Sequence, residues 1–318
     1  MYLQFYGLRE PPFSPTPDPR FLFQSARHRE ALAQLIYGVC ERKGFIVLTG
    51  EIGTGKTTLL RTLLERLDLA VHRVAYVHNS ALPTDGLLEY ILQDWGVKSI
   101  ATTRAQRLVD LNEFLIEQHR QSLFPVLIID EAQNLDIETL EAIRLLSNFE
   151  TTREKLMQIA LVGQPELRDK LNAPGLRQLK QRIGLRCHIS ALSPEESRLY
   201  IRHRLGVAGA RDLGLFTDAA IQKITEYSQG IPRVINTLCD HCLVSGYAES
   251  KRRIDARLVA ETIEYFEEGE RPRWRRSRER SIAPAGFGLW AARASVGALL
   301  AALVAATVFA ANSIGLLH

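Results

Sequence analysis

Residues 45–58 read FIVLTGEIGTGKTT. Phe45–Thr49 is a short, wholly apolar run that stops at a glycine, the pattern of a buried strand feeding a turn. The next eight residues, Gly50-Glu51-Ile52-Gly53-Thr54-Gly55-Lys56-Thr57, fit G-x-x-x-x-G-K-[ST]. Glycines let a backbone wrap a phosphate with its amide hydrogens inward, and the start of the following helix adds its positive end. Lys56 offers a point charge to β- and γ-phosphates, and Thr57 a hydroxyl to magnesium. Thr58 opens a segment of helical period running to Leu67. The motif therefore stands between a strand and a helix, the context in which it binds nucleotide.

Its partner lies downstream. Val126–Ile129 is another apolar strand, and it ends in Asp130-Glu131. Two acids there are costly unless they meet a metal or water at the carboxyl edge of a sheet. Asp130 is expected to hold magnesium, and Glu131 to orient and deprotonate an attacking water. Together with the loop at 50–57, this pair points to nucleoside triphosphate hydrolysis.

Val74–Val77, Gln158–Val162 and Leu185–Ile189 repeat the short apolar design, separated by helical periods at 85–95, 104–120 and 137–148. Such alternation predicts an α/β fold with a parallel sheet covered by helices on both faces. After Ser193 the strand signal ends. Ser193-Pro194-Glu195-Glu196 starts a helix well, and 194–205, 217–228, 232–248 and 255–267 read as four helices. Upstream, 25–42 carries Ala31, Leu32, Leu35, Ile36 and Val39 at helical spacing. Residues 1–20 hold five of the 13 prolines among Tyr2, Phe5, Tyr6 and Phe13, and are expected to be a packed arm without helix.

The formal charge of the 318 residues is +4. Residues 271–280, RPRWRRSRER, contain six arginines and one glutamate; removing them leaves 34 basic and 35 acidic side chains. A near-neutral body does not have the bulk charge of a nucleic-acid binder. The 24 residues Ala294–Leu317 carry no charge. About 20 helical residues cross a hydrocarbon layer of ~30 Å, so this stretch predicts a transmembrane helix. The arginines precede it, which orients the large N-terminal part to the cytoplasm, with Trp274 and Trp290 as interfacial anchors. MYLQFYGLRE has no basic region leading into an apolar run, so no cleaved leader is expected. The expected organisation is an arm at 1–24, an α/β nucleotide-binding domain at 25–192, a helical lid at 193–268, a basic juxtamembrane linker at 269–293 and the span at 294–317.

FYGLREPPFSPTPDPRFLF, GEIGTGKTT, DEAQNL, LRLLSNFET, LVGQPELRDKL, LKQRI and GIPRVINTLCD form a linked series over about residues 1–265. In this series the chain resembles the ExeA/GspA-type secretion ATPases, a group of the AAA+ superfamily that includes exosortase/PEP-CTERM-associated relatives. The resemblance implies a P-loop AAA+ sheet, ATP with Mg2+ and a homo-oligomer. It also implies a role in a cell-envelope secretion or export system at the inner membrane. Gly50, Glu51, Ile52, Gly53, Thr54, Gly55, Lys56, Thr57 and Thr58 would bind the nucleotide. Gln164 matches a polar sensor of the γ-phosphate, and Arg233, in GIPR, a second sensor on the lid. Arg182, in LKQRI, matches an arginine reaching a neighbour's nucleotide, with Arg186 as its rival. Asn79 is placed to restrain Glu131 until a partner binds. Phe13 and Pro17 are candidates to lie near the adenine, against a role in core packing. Longer members continue into a peptidoglycan-binding domain, a function expected here of a partner.

Two alternatives stay open on the sequence: a DNA-associated AAA+ regulator like the transposition-target selectors, and a scaffold that binds ATP without turnover. Cys239-Asp240-His241-Cys242 spaces its cysteines like half a zinc site, but without a second pair inside an apolar helical pattern they are expected to pack as small hydrophobes.

Overall fold

The alternation of side chains along β1 (Phe45–Gly50) sorts them between two cores. Phe45 and Val47 enter one; Ile46 and Leu48 enter the other. A strand buried on both faces must be covered by helices on both faces, and this is what surrounds it. The computed structural model describes residues 1–78, 82–152 and 154–268. The features expected beyond 268, namely the basic linker, Trp274, Trp290 and the membrane span, lie outside the described residues, as does Asn79.

In chain order the elements are α1 (Tyr2–Tyr6), α2 (Ala26–Cys40), β1, α3 (Lys56–Arg66), β2 (His72–Val77), α4 (Thr84–Asp94), α5 (Arg104–Arg120), β3 (Phe124–Ile129), α6 (Ile137–Leu146), β4 (Gln158–Gly163), α7 (Pro165–Leu171), α8 (Arg177–Arg182), β5 (Ile183–Ile189), α9 (Pro194–Val207), α10 (Asp218–Ser228), α11 (Pro232–Ala248) and α12 (Ala256–Glu268). The strands form one sheet in the order β2-β3-β4-β1-β5, and every pairing is parallel. Helices α2 and α3 supply Leu32, Leu35, Leu59 and Leu63 to one core; α4 and α5 supply Leu87, Ile91, Leu111 and Leu115 to the other. Because all strands run the same way, the ends of β1, β3 and β4 open on a single edge, where such sheets bind ligands. Among the described residues no helix is long and apolar enough to cross a membrane.

Between Ser193 and Glu268 the regular elements are all helices. Ser193 and Glu196 close a reciprocal capping box at the start of α9, with Pro194 in its first turn. Ile201 and Leu205 of α9, Ile221 and Ile224 of α10, and Ile235, Leu238, Cys239 and Cys242 of α11 are buried. The two cysteines belong to this packing: burial pushes the Cys242 thiol up to about 12 and the Cys239 thiol well above its ordinary value.

One expectation is corrected at the N-terminus. Residues 2–6 do form a short helix, ended by Gly7 in the left-handed conformation at φ 70°. The prolines begin only at Pro11, so the restraint they impose does not reach Tyr2–Tyr6. A further 3₁₀ turn covers Pro19–Phe21.

The arm is tied down by polar contacts far away in sequence. Tyr2 Oη donates to Asp240 at 2.9 Å and Tyr6 Oη to the Lys251 carbonyl at 3.1 Å. Phe13 packs edge-on against Phe216 with ring centroids 6.0 Å apart. At the centre is Arg204 of α9, only 6% exposed. Its Nε donates to the Pro12 carbonyl at 2.5 Å and its Nη1 to Tyr200 Oη at 3.0 Å. Its Nη2 donates to the Ser14 carbonyl at 3.4 Å, while its guanidinium stacks on the Phe21 ring, 4.7 Å from the centroid. Truncating it strands a buried carbonyl. Arg204→Met is therefore expected to lower stability by about 2 kcal/mol and to open residues 1–20 to limited proteolysis. An unchanged denaturation midpoint and cleavage pattern would contradict this account of the arm.

Candidate functional site

The loop between β1 and α3 is built from two left-handed glycines, Gly53 at φ 81° and Gly55 at φ 99°. Gly50 allows a different kind of closeness: a Cβ there would lie 2.7 Å from the Ile189 carbonyl oxygen. A Cβ on Gly53 would stand 2.5 Å from that of Arg233. This contact is where α11 meets the loop, and the Arg233 amide donates to the Gly53 carbonyl at 3.1 Å. On the other side His28 Nε2 lies 3.0 Å from the Thr54 carbonyl, and its Nδ1 lies 2.8 Å from Ser25 Oγ. Burial lowers the His28 pKa, favouring the neutral ring with Nε2 as donor to the carbonyl.

Lys56 opens α3 and is 6% exposed. Its ammonium donates to the Gly50 carbonyl at 2.7 Å and the Glu51 carbonyl at 3.0 Å. Burial lowers its pKa, opposed by the charges of Glu131, Asp130 and Glu51. Thr57 Oγ1 donates to Asp130 Oδ2 at 3.3 Å. The same carboxylate oxygen accepts from Tyr76 Oη, the hydroxyl of a β2 residue, at 3.0 Å. Burial first, then the Asp130 charge, raises the Tyr76 phenol well above its ordinary range, so it is a donor.

Glu131 follows at φ 53°, in the left-handed region that non-glycine residues avoid. Its Oε2 accepts from Gln133 Nε2 at 2.6 Å and from Gln164 Nε2 at 3.2 Å. Gln164 precedes α7 but its side chain does not cap that helix; it faces Glu131 instead. The loop, the arm, α9 and α11 line a cavity of about 290 Å³. Gly53, Thr54, Gly55, Lys56, Thr57, Thr58, Glu131 and Arg233 all line it, together with Pro17, Tyr200 and Asn236.

Phe13 is elsewhere, 1% exposed in the core against Phe216, whereas Pro17 reaches the cavity wall. Arg182 is exposed at the end of α8, with Nη1 donating to Ser147 Oγ at 2.7 Å and also to Asn148 Oδ1. Arg186 is exposed on β5, donating to the Lys180 carbonyl at 3.1 Å. Neither lines the cavity. Four residues not singled out from the sequence enter the constellation: His28, Tyr76, Gln133 and Arg204. Gln133 stood in plain view inside DEAQNL, whereas the other three occupy ordinary helix or strand positions.

The donor set suits a hard cation. A hydroxyl and a carboxylate oxygen within 3.3 Å, beside a phosphate cradle, are the two protein ligands magnesium takes when phosphates and waters complete its shell. No group of three or more His, Cys, Asp or Glu able to hold a metal occurs among the described residues, so an all-protein cage is not offered there.

Comparison with known proteins agrees with this geometry. Residues 40–171 match the AAA domain family. General secretion pathway protein A of Aeromonas hydrophila is 43% identical over 255 residues, which cover 80% of this chain and 46% of that protein. The chain thus spans less than half the length of that relative. Cdc6p from Pyrobaculum aerophilum superposes with a TM-score of 0.59 at 20% identity, over 76% of this chain and 67% of that one. The ADP form of the Aeropyrum pernix ORC2 protein gives 0.58 at 18% identity, over 79% and 71%. At those identities the two structures speak for fold alone. The chain carries an AAA domain on an AAA+ P-loop fold and is similar to general secretion pathway protein A over four-fifths of its length.

Proposed function

We propose that the protein is a membrane-anchored AAA+ ATPase that couples ATP hydrolysis to assembly or operation of a cell-envelope secretion system. The observation that carries the reading is the approach of Thr57 Oγ1 and Asp130 Oδ2 to 3.3 Å beside the glycine cradle. Gly50 to Thr58 would enclose the phosphates with backbone amides, and Lys56 would exchange its carbonyl partners for phosphate oxygens. Thr57 and Asp130 would hold magnesium, which when bound neutralises developing charge on the phosphates. Glu131 orients the attacking water and takes its proton; Gln164, on the same carboxylate, senses the γ-phosphate. Arg233, whose backbone rests on the loop, reports nucleotide to the lid. Arg182 acts on a neighbour's nucleotide in a homo-oligomer, which supports a multi-subunit machine.

The anchor is residues 294–317, preceded by the arginine collar, with the ATPase part in the cytoplasm at the inner membrane. Similarity to general secretion pathway protein A supports the export role and partners among envelope components.

Glu131→Gln is expected to cut turnover by at least about 100-fold while the protein still binds ATP. Full activity in this variant would overturn the assignment of the base, and turnover absent from the parent protein would favour a scaffold. Tyr76→Phe removes a hydrogen bond to the metal-holding carboxylate. It should raise the Mg2+ concentration for half-maximal activity about tenfold, with an unchanged requirement as the contrary result. In membranes washed with alkaline carbonate the full chain should stay in the pellet, and a chain ending at 268 should leave it. A full chain released by the wash, with salt-sensitive binding to DNA, would favour the DNA-associated regulator instead.

A further inference from the structure

Gln133 lies two residues beyond Glu131 in the 3₁₀ turn Ala132–Asn134, and its one amide makes two directed bonds. Nε2 donates to Glu131 Oε2 at 2.6 Å, and Oε1 accepts from the backbone N–H of Gln164 at 3.0 Å. A backbone N–H can only donate, and an ionised carboxylate can only accept, so this network admits one orientation of the amide. Gln164 closes the triangle by donating its own Nε2 to Glu131 Oε2 at 3.2 Å.

The surroundings are shaped to this side chain. A Cβ at Gly163 would stand 2.6 Å from Gln133 Oε1 and 3.2 Å from Gln133 N, so the last residue of β4 must be small for Gln133 to reach its place. Lys170 of α7 holds the turn from below, donating to the Gln133 carbonyl at 2.5 Å and the Leu135 carbonyl at 2.7 Å. The left-handed backbone of Glu131 at φ 53° costs of order 1–3 kcal/mol and persists only where neighbours over-determine it.

We propose that Gln133 is a positioning residue: it fixes the Glu131 carboxylate and ties it to the Gln164 segment, so that the water-orienting and phosphate-sensing groups move as one. This rests on the assignment of Glu131 above. A group held in this way affects the chemical step more than ground-state binding, since misplacement of about 1 Å can cost up to ~100-fold in rate.

The test is steady-state ATP hydrolysis by the full chain. Gln133→Met keeps length and volume but removes both bonds. It should lower kcat about tenfold or more while KM for ATP stays within about twofold. Gly163→Ala, which displaces the Gln133 amide without altering it, should show the same split. The double variant should fall no further than about twofold below either single one, because groups acting as a unit are not additive. In a Glu131→Gln background, Gln133→Met should not reduce the residual rate further. A raised KM with kcat intact, or losses that multiply, overturns the proposal. Should Gln133→Met not fold, Gly163→Ala alone carries the kcat and KM criterion. Full turnover by Glu131→Gln would instead remove the reading beneath it, whereas an inactive Glu131→Gln beside an unaffected Gln133→Met would sink this inference alone.

Discussion

A hydroxyl and a carboxylate that are 73 positions apart in the chain meet at 3.3 Å, and the rest of the site is arranged around that approach. It follows from the sheet. Strands β1 and β3 run parallel with β4 between them, so both deliver their following residues to the same edge. Apolar cores on both faces hold the strands in register: a slip of one residue would move every core side chain to the wrong face. The sequence neighbour of the phosphate loop, β2, is not interposed between loop and acids. It lies at the outer edge beyond β3, from where Tyr76 reaches Asp130.

Charge at the site is balanced internally. Lys56 and Asp130 are 6% and 5% exposed, a burial that neither tolerates alone. Glu131, Asp130 and Glu51 offset the desolvation of the ammonium, and Tyr76 and Thr57 donate to Asp130. Deleting one member of such a group leaves another buried without compensation, while exchanging carbonyl partners for phosphate oxygens keeps the ammonium satisfied. The ammonium can thus change partners without losing its hydrogen-bond acceptors.

Strand cores were legible because apolar runs and turn glycines are local signals. Edges were less so. β2 begins at His72-Arg73 and β5 carries Gly184 as its second residue, polar or small residues tolerated because both strands lie at the margins of the sheet. The short helices α7 and α8 have too few turns to display a period. At the site, the loop and the two acids carry their own pattern, but the side chains that hold them do not. Arg204 reads as one more polar residue on a helix; its partners, the Pro12 and Ser14 carbonyls, lie 192 and 190 positions away. His28 and Tyr76 are similar cases, since a hydrogen bond across the fold leaves no mark on either local sequence.

The three arginines assigned to the nucleotide divide on geometry. Arg233 lines the cavity, and its amide is fixed to Gly53, so the start of α11 and the loop shift together or not at all. Arg182 and Arg186 lie outside that cavity, one bonded to the end of α6 through Ser147 and Asn148, the other on the margin strand β5. A guanidinium exposed there gains nothing from its own chain's phosphates. On the proposed function, such a guanidinium would act on a second copy whose cavity faced this margin. Of the two, Arg182 has its fork held by side chains at the end of a helix, whereas Arg186 spends one amine on a backbone carbonyl. The held fork is the better preorganised for a planar anion, because less rotamer freedom is lost when it binds.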